Sequence, residues 1–289
     1  MTEMTQSSAS SRPLGSALRW LGQDFRVTLC LGYLLLLVAF SLLAPLITPH
    51  SPIEQTMDFL APPDAAHWLG TDDLGRDVFA RLVYGTPMSL YASCLAVAVG
   101  LSIGLPLGML AGYLGGWFDS VVSRMIDTLL SFPGIVLAVA VTGALGIGLT
   151  NAMIAVGIVF APNIARLIRI QTIVVKNELY VDASRSFGMS VPRIILRHIV
   201  PNAIQPVIVQ VTLMLAGALL AEASLSFLGL GVQPPWPSWG QMLARGYTYM
   251  EIAPEQMYVP GIAILLTALA YNGLGESLRS RLDPTRRAR

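Results

Sequence analysis

Residues 177–201, NELYVDASRSFGMSVPRIILRHIVP, form a polar interruption in an otherwise apolar part of the chain. No charged residue occurs between Asp127 and Arg166 before it, and none between Arg197 and Glu222 after it. A helix needs about 20 apolar residues to cross the hydrocarbon core of a bilayer, and both stretches are long enough. We therefore predict that this connecting segment joins two membrane-spanning helices.

The composition of the 289-residue chain argues against a soluble protein. Apolar residues make up 54% of it and charged residues 12%, whereas about 25% of the residues in soluble domains are charged. A soluble chain of this kind would lack the polar surface to cover itself. The apolar stretches are continuous rather than alternating, which favours helices over the strands of a barrel. We expect an all-α protein with the lipid bilayer as a direct partner.

Six membrane-spanning helices account for the apolar stretches. They are predicted at residues 27–47, 89–114, 121–145, 151–170, 203–228 and 257–278. The first run exceeds the roughly 7–15 apolar residues of a cleaved signal peptide, so we expect it to remain as a span. The chain is thereby divided into five parts: a cytoplasmic tail (1–26), a first span (27–47), an extracytoplasmic segment (48–87), a membrane core with the connecting segment (88–280) and a basic cytoplasmic tail (281–289).

The basic residues are distributed unevenly between the two sides of this topology. Fifteen of the 18 precede the first span, lie at the start of the third span, lie in or beside the connecting segment, or follow the sixth span. Only Arg76, Arg81 and Arg245 fall on the opposite side. Because lysine and arginine accumulate in cytoplasmic loops, both termini and the connecting segment are predicted to be cytoplasmic. The formal net charge of +1 gives no reason to expect a nucleic-acid partner.

The sequence contains no catalytic or metal-binding motif. The phosphate-binding loop of ATPases needs a lysine after a glycine, but the single lysine of this chain, Lys176, follows Val175. The patterns HExxH, CxxC and GxSxG are absent as well. We therefore expect no catalytic residue, no metal site and no cofactor bound by this chain. The isolated histidines and cysteines, for which no ligand or disulfide role is expected, are His50, His67, His198, Cys30 and Cys94.

Two sites within the predicted spans are candidates for ion coupling, because ionisable side chains inside a membrane are costly and mark functional positions. Asp127 lies one helical turn after Arg124, so the two form either an intrahelical pair or part of a proton relay. Glu222 is close to Ser226 on the fifth span, where it is either a hydrogen-bonded clamp between helices or part of a translocation pathway. A stand-alone ion-coupled carrier or channel would depend on these residues.

The connecting segment has the pattern of two short helices joined by a turn. Gly188 can adopt the left-handed conformation that ends a helix, Ser190 can cap the next helix, and Pro201 can open the fifth span. The small residues Ala183 and Ser184 would allow another protein to approach closely. The pattern indicates either a rigid hairpin that inserts into a cleft on a partner, or an ordinary amphipathic loop at the membrane surface.

The connecting segment also resembles a known family motif. Asp182-Ala183-Ser184, then Gly188 four residues further on, and finally Ile199-Val200-Pro201 match the cytoplasmic coupling loop of ABC importer permeases. That loop reads Glu-Ala-Ala, three residues, Gly, and a stretch that ends in a hydrophobic residue and Pro. This chain departs from it with Asp for Glu and Ser for the second Ala, which shifts the expectation from a specific acidic contact to the shape of the loop.

Two further stretches narrow the resemblance to permeases for dipeptides, oligopeptides and nickel. Residues 69–81, LGTDDLGRDVFAR, resemble the segment before the second span of these permeases. Residues 222–235, EASLSFLGLGVQPP, followed by PSWG at 237–240, resemble the end of the fifth span and the outer loop of their C-type subunit. Pro87 departs from the pattern, because relatives often carry a basic residue there.

This resemblance implies the transmembrane fold of a type I ABC importer in the bacterial inner membrane. It implies a B-type permease partner, two ATPase subunits that bind ATP and Mg²⁺, and an extracytoplasmic peptide-binding protein. Coupling to the ATPases would use Asp182, Ala183, Ser184, Gly188 and Pro201. Peptides are the expected substrate, and glutathione and nickel chelates are the alternatives within the family.

The predicted outer loop at residues 229–256 contains two tryptophans among several prolines. Trp236 and Trp239 are expected either to anchor this loop at the membrane–water interface, or to form a gate or docking surface for the binding protein. The acidic segment at residues 54–77 is similarly either a docking surface or a solvated cap.

Overall fold

A computed structural model describes residues 24–282 of the chain. This part is helical, with no strand among the described residues beyond one isolated bridge between Thr71 and Asp77. Most of the predicted N-terminal tail and nearly all of the basic C-terminal tail lie outside the described residues. The helices are α1 (Phe25–Leu42), α2 (Ala44–Ile47), α3 (Val78–Leu114), α4 (Gly116–Leu130), α5 (Gly134–Leu145), α6 (Leu149–Lys176), α7 (Leu179–Ser186), α8 (Val191–Ile194), a π-helical turn (Ile195–Ile199), α9 (Val200–Ala203), α10 (Gln205–Phe227), α11 (Trp239–Thr248) and α12 (Glu255–Leu282).

Five of these helices are long and apolar enough to cross a membrane by themselves, namely α1, α3, α6, α10 and α12. The remaining predicted span, at residues 121–145, is broken into α4 and α5, which meet at an angle of 97°. Pro133 stands at the break. A proline has no backbone N–H and disfavours helical conformation in the residue before it, so one straight helix cannot pass through this point. The chain is a multi-pass membrane protein.

The helix boundaries differ from the predicted spans most clearly at the second span. Helix α3 begins at Val78, well before the predicted start at residue 89, because Asp77 caps it. The Oδ1 atom of Asp77 accepts a hydrogen bond from the Ala80 N–H at 2.6 Å, which satisfies one of the free donors of the first turn. The first span is also shorter than predicted, because α1 ends at Leu42 and the separate short helix α2 follows.

Helices α3 and α6 pack with their backbones in close contact. Glycines recur at every fourth position of α3, at Gly100, Gly104, Gly108 and Gly112, and so lie on one face. A Cβ atom placed on Gly104 would be 2.7 Å from the carbonyl oxygen of Ala161 in α6. Small residues of this kind are the usual means by which helices approach each other in membranes. This pair forms the centre of the fold.

The other long helices surround this pair. Helix α10 lies against α3, α6 and α12, and α1 lies against α12. The contact between α1 and α12 includes a hydrogen bond between the hydroxyls of Tyr33 and Thr267 at 3.2 Å. The connecting segment extends from the end of α6 to the start of α10, and α11 lies against α12 and α10 next to the start of α3.

Candidate functional sites

The connecting segment is anchored to the core by one apolar face. Val181 of α7, Ile194 of α8 and Ile199 of the π-helical turn are buried, and they pack in one cluster with Ile168 and Val175 of α6. Burial of each such aliphatic side chain contributes about 1.5–3 kcal/mol. The segment therefore has a defined position relative to the membrane core, as a hairpin that transmits force would require.

The turn between α7 and α8 has the predicted left-handed glycine. Gly188 has a φ of +76°, and its N–H donates to the carbonyl oxygen of Arg185 at 2.9 Å. No atom lies within 4 Å of the position that a Cβ would take, so the backbone conformation, and not lack of space, selects glycine here. The prediction for Ser190 is wrong in one respect, since it precedes α8 but its side chain makes no capping hydrogen bond.

The second half of the segment contains one π-helical turn. The N–H of Val200 donates to the carbonyl oxygen of Ile195, five residues earlier. Pro201 has no N–H to continue the α-helical pattern, and its ring conflicts with the carbonyl four residues before it. The wider turn before Pro201 relieves this conflict. Pro201 lies in the short helix α9 and not at the start of the fifth span as predicted, because α10 begins at Gln205.

The opposite face of the connecting segment presents large apolar side chains to the surroundings. Leu179 is 86% exposed and Phe187 is 90% exposed. Asp182 and Ala183 are exposed on the same helix, and Asp182 pairs with Arg185 at 3.3 Å. Ser184 is half-buried, and its hydroxyl donates a hydrogen bond to the carbonyl oxygen of Tyr180 in the same helix at 2.8 Å. An anchored hairpin with exposed apolar side chains has the properties of a docking element for another protein.

Glu222 of α10 is enclosed and hydrogen-bonded within the chain. It has no exposed surface, and its Oε1 accepts hydrogen bonds from the hydroxyls of Ser226 at 3.0 Å and Ser238 at 2.8 Å. Ser238 is also the N-cap of α11, where it accepts the N–H of Gln241. This arrangement joins α10 to α11, so the geometry favours the clamp over the pathway. The sequence did not indicate Ser238 as the partner.

The two tryptophans of the loop at residues 229–256 differ in environment. Trp236 is 53% exposed and Trp239 has no exposed surface. The indole N–H of Trp239 donates to the carbonyl oxygen of Leu82 at 3.0 Å, and its backbone N–H donates to Ser89 Oγ at 3.0 Å. The interpretation of Trp239 as an interfacial anchor or an exposed gate is therefore wrong, because this side chain attaches α11 to α3. Of these two tryptophans, only Trp236 is exposed for contact at the surface.

The predicted pair of Arg124 and Asp127 is replaced by a contact between helices. Asp127 Oδ1 lies 2.5 Å from Arg166 Nη2, and both side chains are largely exposed. A second pair joins the same two helices, α4 and α6, because Arg169 binds Asp119 with two nitrogens, one of them at 2.6 Å. The face of α4 that carries these carboxylates packs towards α6, so their partners come from α6.

The acidic segment before α3 is not a solvated cap throughout. Asp72 binds the buried Arg76 at 2.7 Å and lies 3.3 Å from Arg81. Arg81 also donates to the carbonyl oxygen of Pro52 at 2.8 Å and to Gln241 Oε1 at 3.2 Å. These contacts attach the segment to α3 and α11. They involve residues up to 160 positions apart, which sequence spacing does not reveal.

An apolar groove of about 260 Å³ lies between α5, α6 and α10. Its walls include Phe160, Gly217 and Leu220, and Ser224 supplies a hydroxyl. The break between α4 and α5 positions Gly134 and Ile135 at the same groove.

The chain is similar to curated membrane components of transport systems. It is 43% identical over 248 residues to the dipeptide transport system permease protein DppC of Alkalihalophilus pseudofirmus, and the alignment covers 86% of this chain and 82% of that protein. It is 43% identical over 255 residues to the glutathione transport system permease protein GsiD of Pectobacterium atrosepticum, with 87% and 84% covered.

Solved structures agree with the fold. A crystal form of the MetNI methionine ABC transporter in an inward-facing conformation matches with a TM-score of 0.57 and 22% identity, over 71% of this chain and 97% of that one. An amino acid ABC transporter crystallised with histidines matches with a TM-score of 0.52 and 18% identity, over 70% and 92%. The family model described as "Binding-protein-dependent transport system inner membrane component" matches residues 104–287. The chain thus belongs to the inner-membrane permease components of binding-protein-dependent ABC importers.

Proposed function

We propose that this chain is one permease subunit of an ATP-driven importer of short peptides. In this role it forms half of a translocation passage in the bacterial inner membrane, with both termini and the connecting segment in the cytoplasm. A second permease subunit supplies the other half, two ATPase chains bind and hydrolyse ATP with Mg²⁺, and an extracytoplasmic binding protein delivers the peptide. This chain itself carries out no catalysis.

The single observation that supports coupling most directly is the two-faced connecting segment. One face, with Val181 and Ile194, is buried against α6. The other exposes Leu179 and Phe187 almost completely. Exposed apolar side chains at this density favour a partner surface that covers them, since their burial contributes about 25 cal/mol per Å². Movement of the ATPase chains would then displace α7 and, through the buried face, α6.

The choice of peptides rests on the named relatives. Relatives that match at least 86% of this chain are a dipeptide and a glutathione permease, and glutathione is itself a small peptide. The apolar groove between α5, α6 and α10 offers a passage lining without a cluster of metal-binding side chains. We therefore favour short peptides, with glutathione among them, over a nickel chelate. Uptake of labelled dipeptide, glutathione and nickel by vesicles that contain the full transporter would distinguish the three.

The carrier alternative has no comparable support. Its two candidate sites are occupied by structural contacts, because Glu222 is enclosed by Ser226 and Ser238, and Asp127 pairs with Arg166 at the surface. Transport through this chain should therefore stop when ATP is depleted, even where a proton gradient is maintained.

The coupling role is tested by Gly188→Asp with Gly188→Asn as the matched control. Asparagine tolerates the left-handed conformation that Gly188 adopts, and aspartate adds a charge at the docking surface. We expect Gly188→Asp, and likewise Asp182→Arg combined with Ala183→Glu, to abolish transport while membrane insertion continues. Gly188→Asn should retain most transport. Normal peptide-stimulated ATPase activity of the Gly188→Asp transporter would contradict the coupling role.

A second pair of variants tests the exposed apolar face. Phe187→Asp changes a side chain that makes little contact with its own chain, so folding should be unaffected. Because truncation of a central contact residue costs about 2 kcal/mol or more, we expect a loss of ATPase-chain affinity of about 30-fold or more, measured by copurification. Met57→Asp is the control, since Met57 is 87% exposed in the segment before α3. Equal ATPase recovery with both variants would count against docking at α7.

A further inference from the structure

Two histidines that are distant from each other in sequence meet in the segment between α2 and α3. The ring centroids of His50 and His67 are 4.6 Å apart, and Asp77 Oδ2 lies 2.9 Å from His67 Nδ1. One potential ligand atom of each residue lies within 4.8 Å of those of the other two. We propose that His50, His67 and Asp77 bind a divalent transition-metal ion, with Zn²⁺ as the ion that best suits two imidazoles and a carboxylate.

The distances require only small adjustments to receive such an ion. Zinc bonds to nitrogen and oxygen are about 2.0–2.1 Å long, so two ligand atoms at a tetrahedral angle lie about 3.3 Å apart. The separation of 2.9 Å between His67 Nδ1 and Asp77 Oδ2 is a few tenths of an ångström shorter than this value. The ligand atom of His50 is at most 4.8 Å from the other two, so it has to approach them by up to about 1.5 Å to reach the tetrahedral separation.

The backbone around His67 is already held in place. Its N–H donates to the Asp64 carboxylate at 2.5 Å, and its carbonyl oxygen accepts from the N–H groups of Asp64 and Gly70, both at 2.9 Å. Asp77 uses its Oδ1 atom to cap α3, which leaves Oδ2 directed at the histidine. Metal sites depend on supporting contacts of this kind, because they hold each ligand in its orientation.

His50 provides the third ligand and the open side of the site. Its Nε2 atom lies 3.0 Å from the carbonyl oxygen of Ala66, and a ligand histidine commonly donates one ring N–H to a backbone carbonyl while the other nitrogen binds the ion. His67 and Asp77 are almost buried, whereas His50 is half-exposed. Three protein ligands with one side open leave the fourth tetrahedral position to water.

An ion at this position would connect two parts of the chain. His50 follows the last residue of α2 by three residues, and Asp77 immediately precedes α3 as its N-cap. Bound zinc would therefore attach the end of the first span to the start of the second, and would stabilise the segment between them. This inference depends on the local geometry alone and holds whether or not the chain is a peptide permease.

The test uses the full-length chain, purified in detergent on an affinity tag that contains no histidine. After chelator treatment the protein is dialysed against Zn²⁺, bound zinc is measured by mass spectrometry, and thermal unfolding is followed with and without zinc. We expect one zinc ion per chain and a higher unfolding temperature in its presence. His50→Gln and His67→Gln should each weaken zinc binding at least about 10-fold.

His198→Gln is the matched control, because it removes the one other histidine of the chain from a distant position and should leave zinc binding unchanged. His50→Cys keeps a zinc ligand at the half-exposed position and should retain the ion. With Co²⁺ this variant should gain a thiolate absorption band that the parent lacks. Absence of stoichiometric zinc in the parent protein, or equal affinity in the parent and His50→Gln, would overturn the proposal.

Discussion

The close contact of α3 and α6 makes Gly104→Ala a quantitative test of the fold. The added Cβ would lie 2.7 Å from both the carbonyl oxygen of Ala161 and the Cβ of Ile164. Ordinary contacts of this type begin at 3.4 Å, so the two helices have to separate locally by about 0.7 Å. Neither obstacle is the flexible end of a long side chain, and the backbone of α6 itself must move.

Two opposing free energies determine the size of the effect. Overpacking of a filled interior costs about 1–3 kcal/mol, whereas alanine is intrinsically favoured over glycine in a helix by about 0.5–1 kcal/mol. We therefore expect a net destabilisation of up to about 2.5 kcal/mol, or a decrease of up to about 10 °C in the unfolding temperature of a domain this large. A larger residue such as leucine at the same position should prevent stable folding.

Gly143→Ala in α5 and Gly32→Ala in α1 are the matched controls. A Cβ at either position would meet no atom within 4 Å, so only the intrinsic preference of the helix for alanine remains. The measurement is thermal unfolding of the purified chain in detergent, followed by tryptophan fluorescence. If Gly104→Ala unfolded at the same temperature as Gly143→Ala, or above it, the close backbone contact of α3 and α6 would be refuted.

Two further predictions concern single contacts that join helices. Trp239→Phe removes the indole N–H that donates to the carbonyl oxygen of Leu82 and should cost about 1–3 kcal/mol of unfolding free energy. Trp236→Phe at the surface should change the unfolding free energy little. Chemical or thermal unfolding measures both variants. Lys176→Met removes the ammonium that lies 2.9 Å from the carbonyl oxygen of Gly112 at the end of α3. Loss of this cation from a helix C-terminus should cost about 0.3–1 kcal/mol, and an unchanged unfolding temperature would show that the contact contributes nothing.

The candidate docking site was predictable because its signals are local. A polar segment between apolar runs, a glycine where the backbone turns, and small residues beside an acid all occur within residues 177–201. The structure retained Gly188 in the left-handed conformation and left Asp182 and Ala183 exposed. The second half of the connecting segment differs from the prediction, because a π-helical turn precedes Pro201. This turn accommodates the missing backbone N–H of proline, which a prediction of membrane spans does not take into account. The roles of these residues in coupling remain predictions.

The amino-acid sequence alone determined that this chain is an all-α membrane protein with about six apolar runs and a polar connecting segment. The reason is that transfer of a continuous apolar run into lipid depends on the composition of that run and not on neighbouring elements. Tertiary structure alone decided which side chains from distant parts of the sequence contact one another. Glu222 binds Ser238, Asp127 binds Arg166, Trp239 binds Leu82, and His50 meets His67. Each of these contacts depends on how the elements are rotated and packed against one another, and this rotation is set by close contacts such as that of α3 with α6.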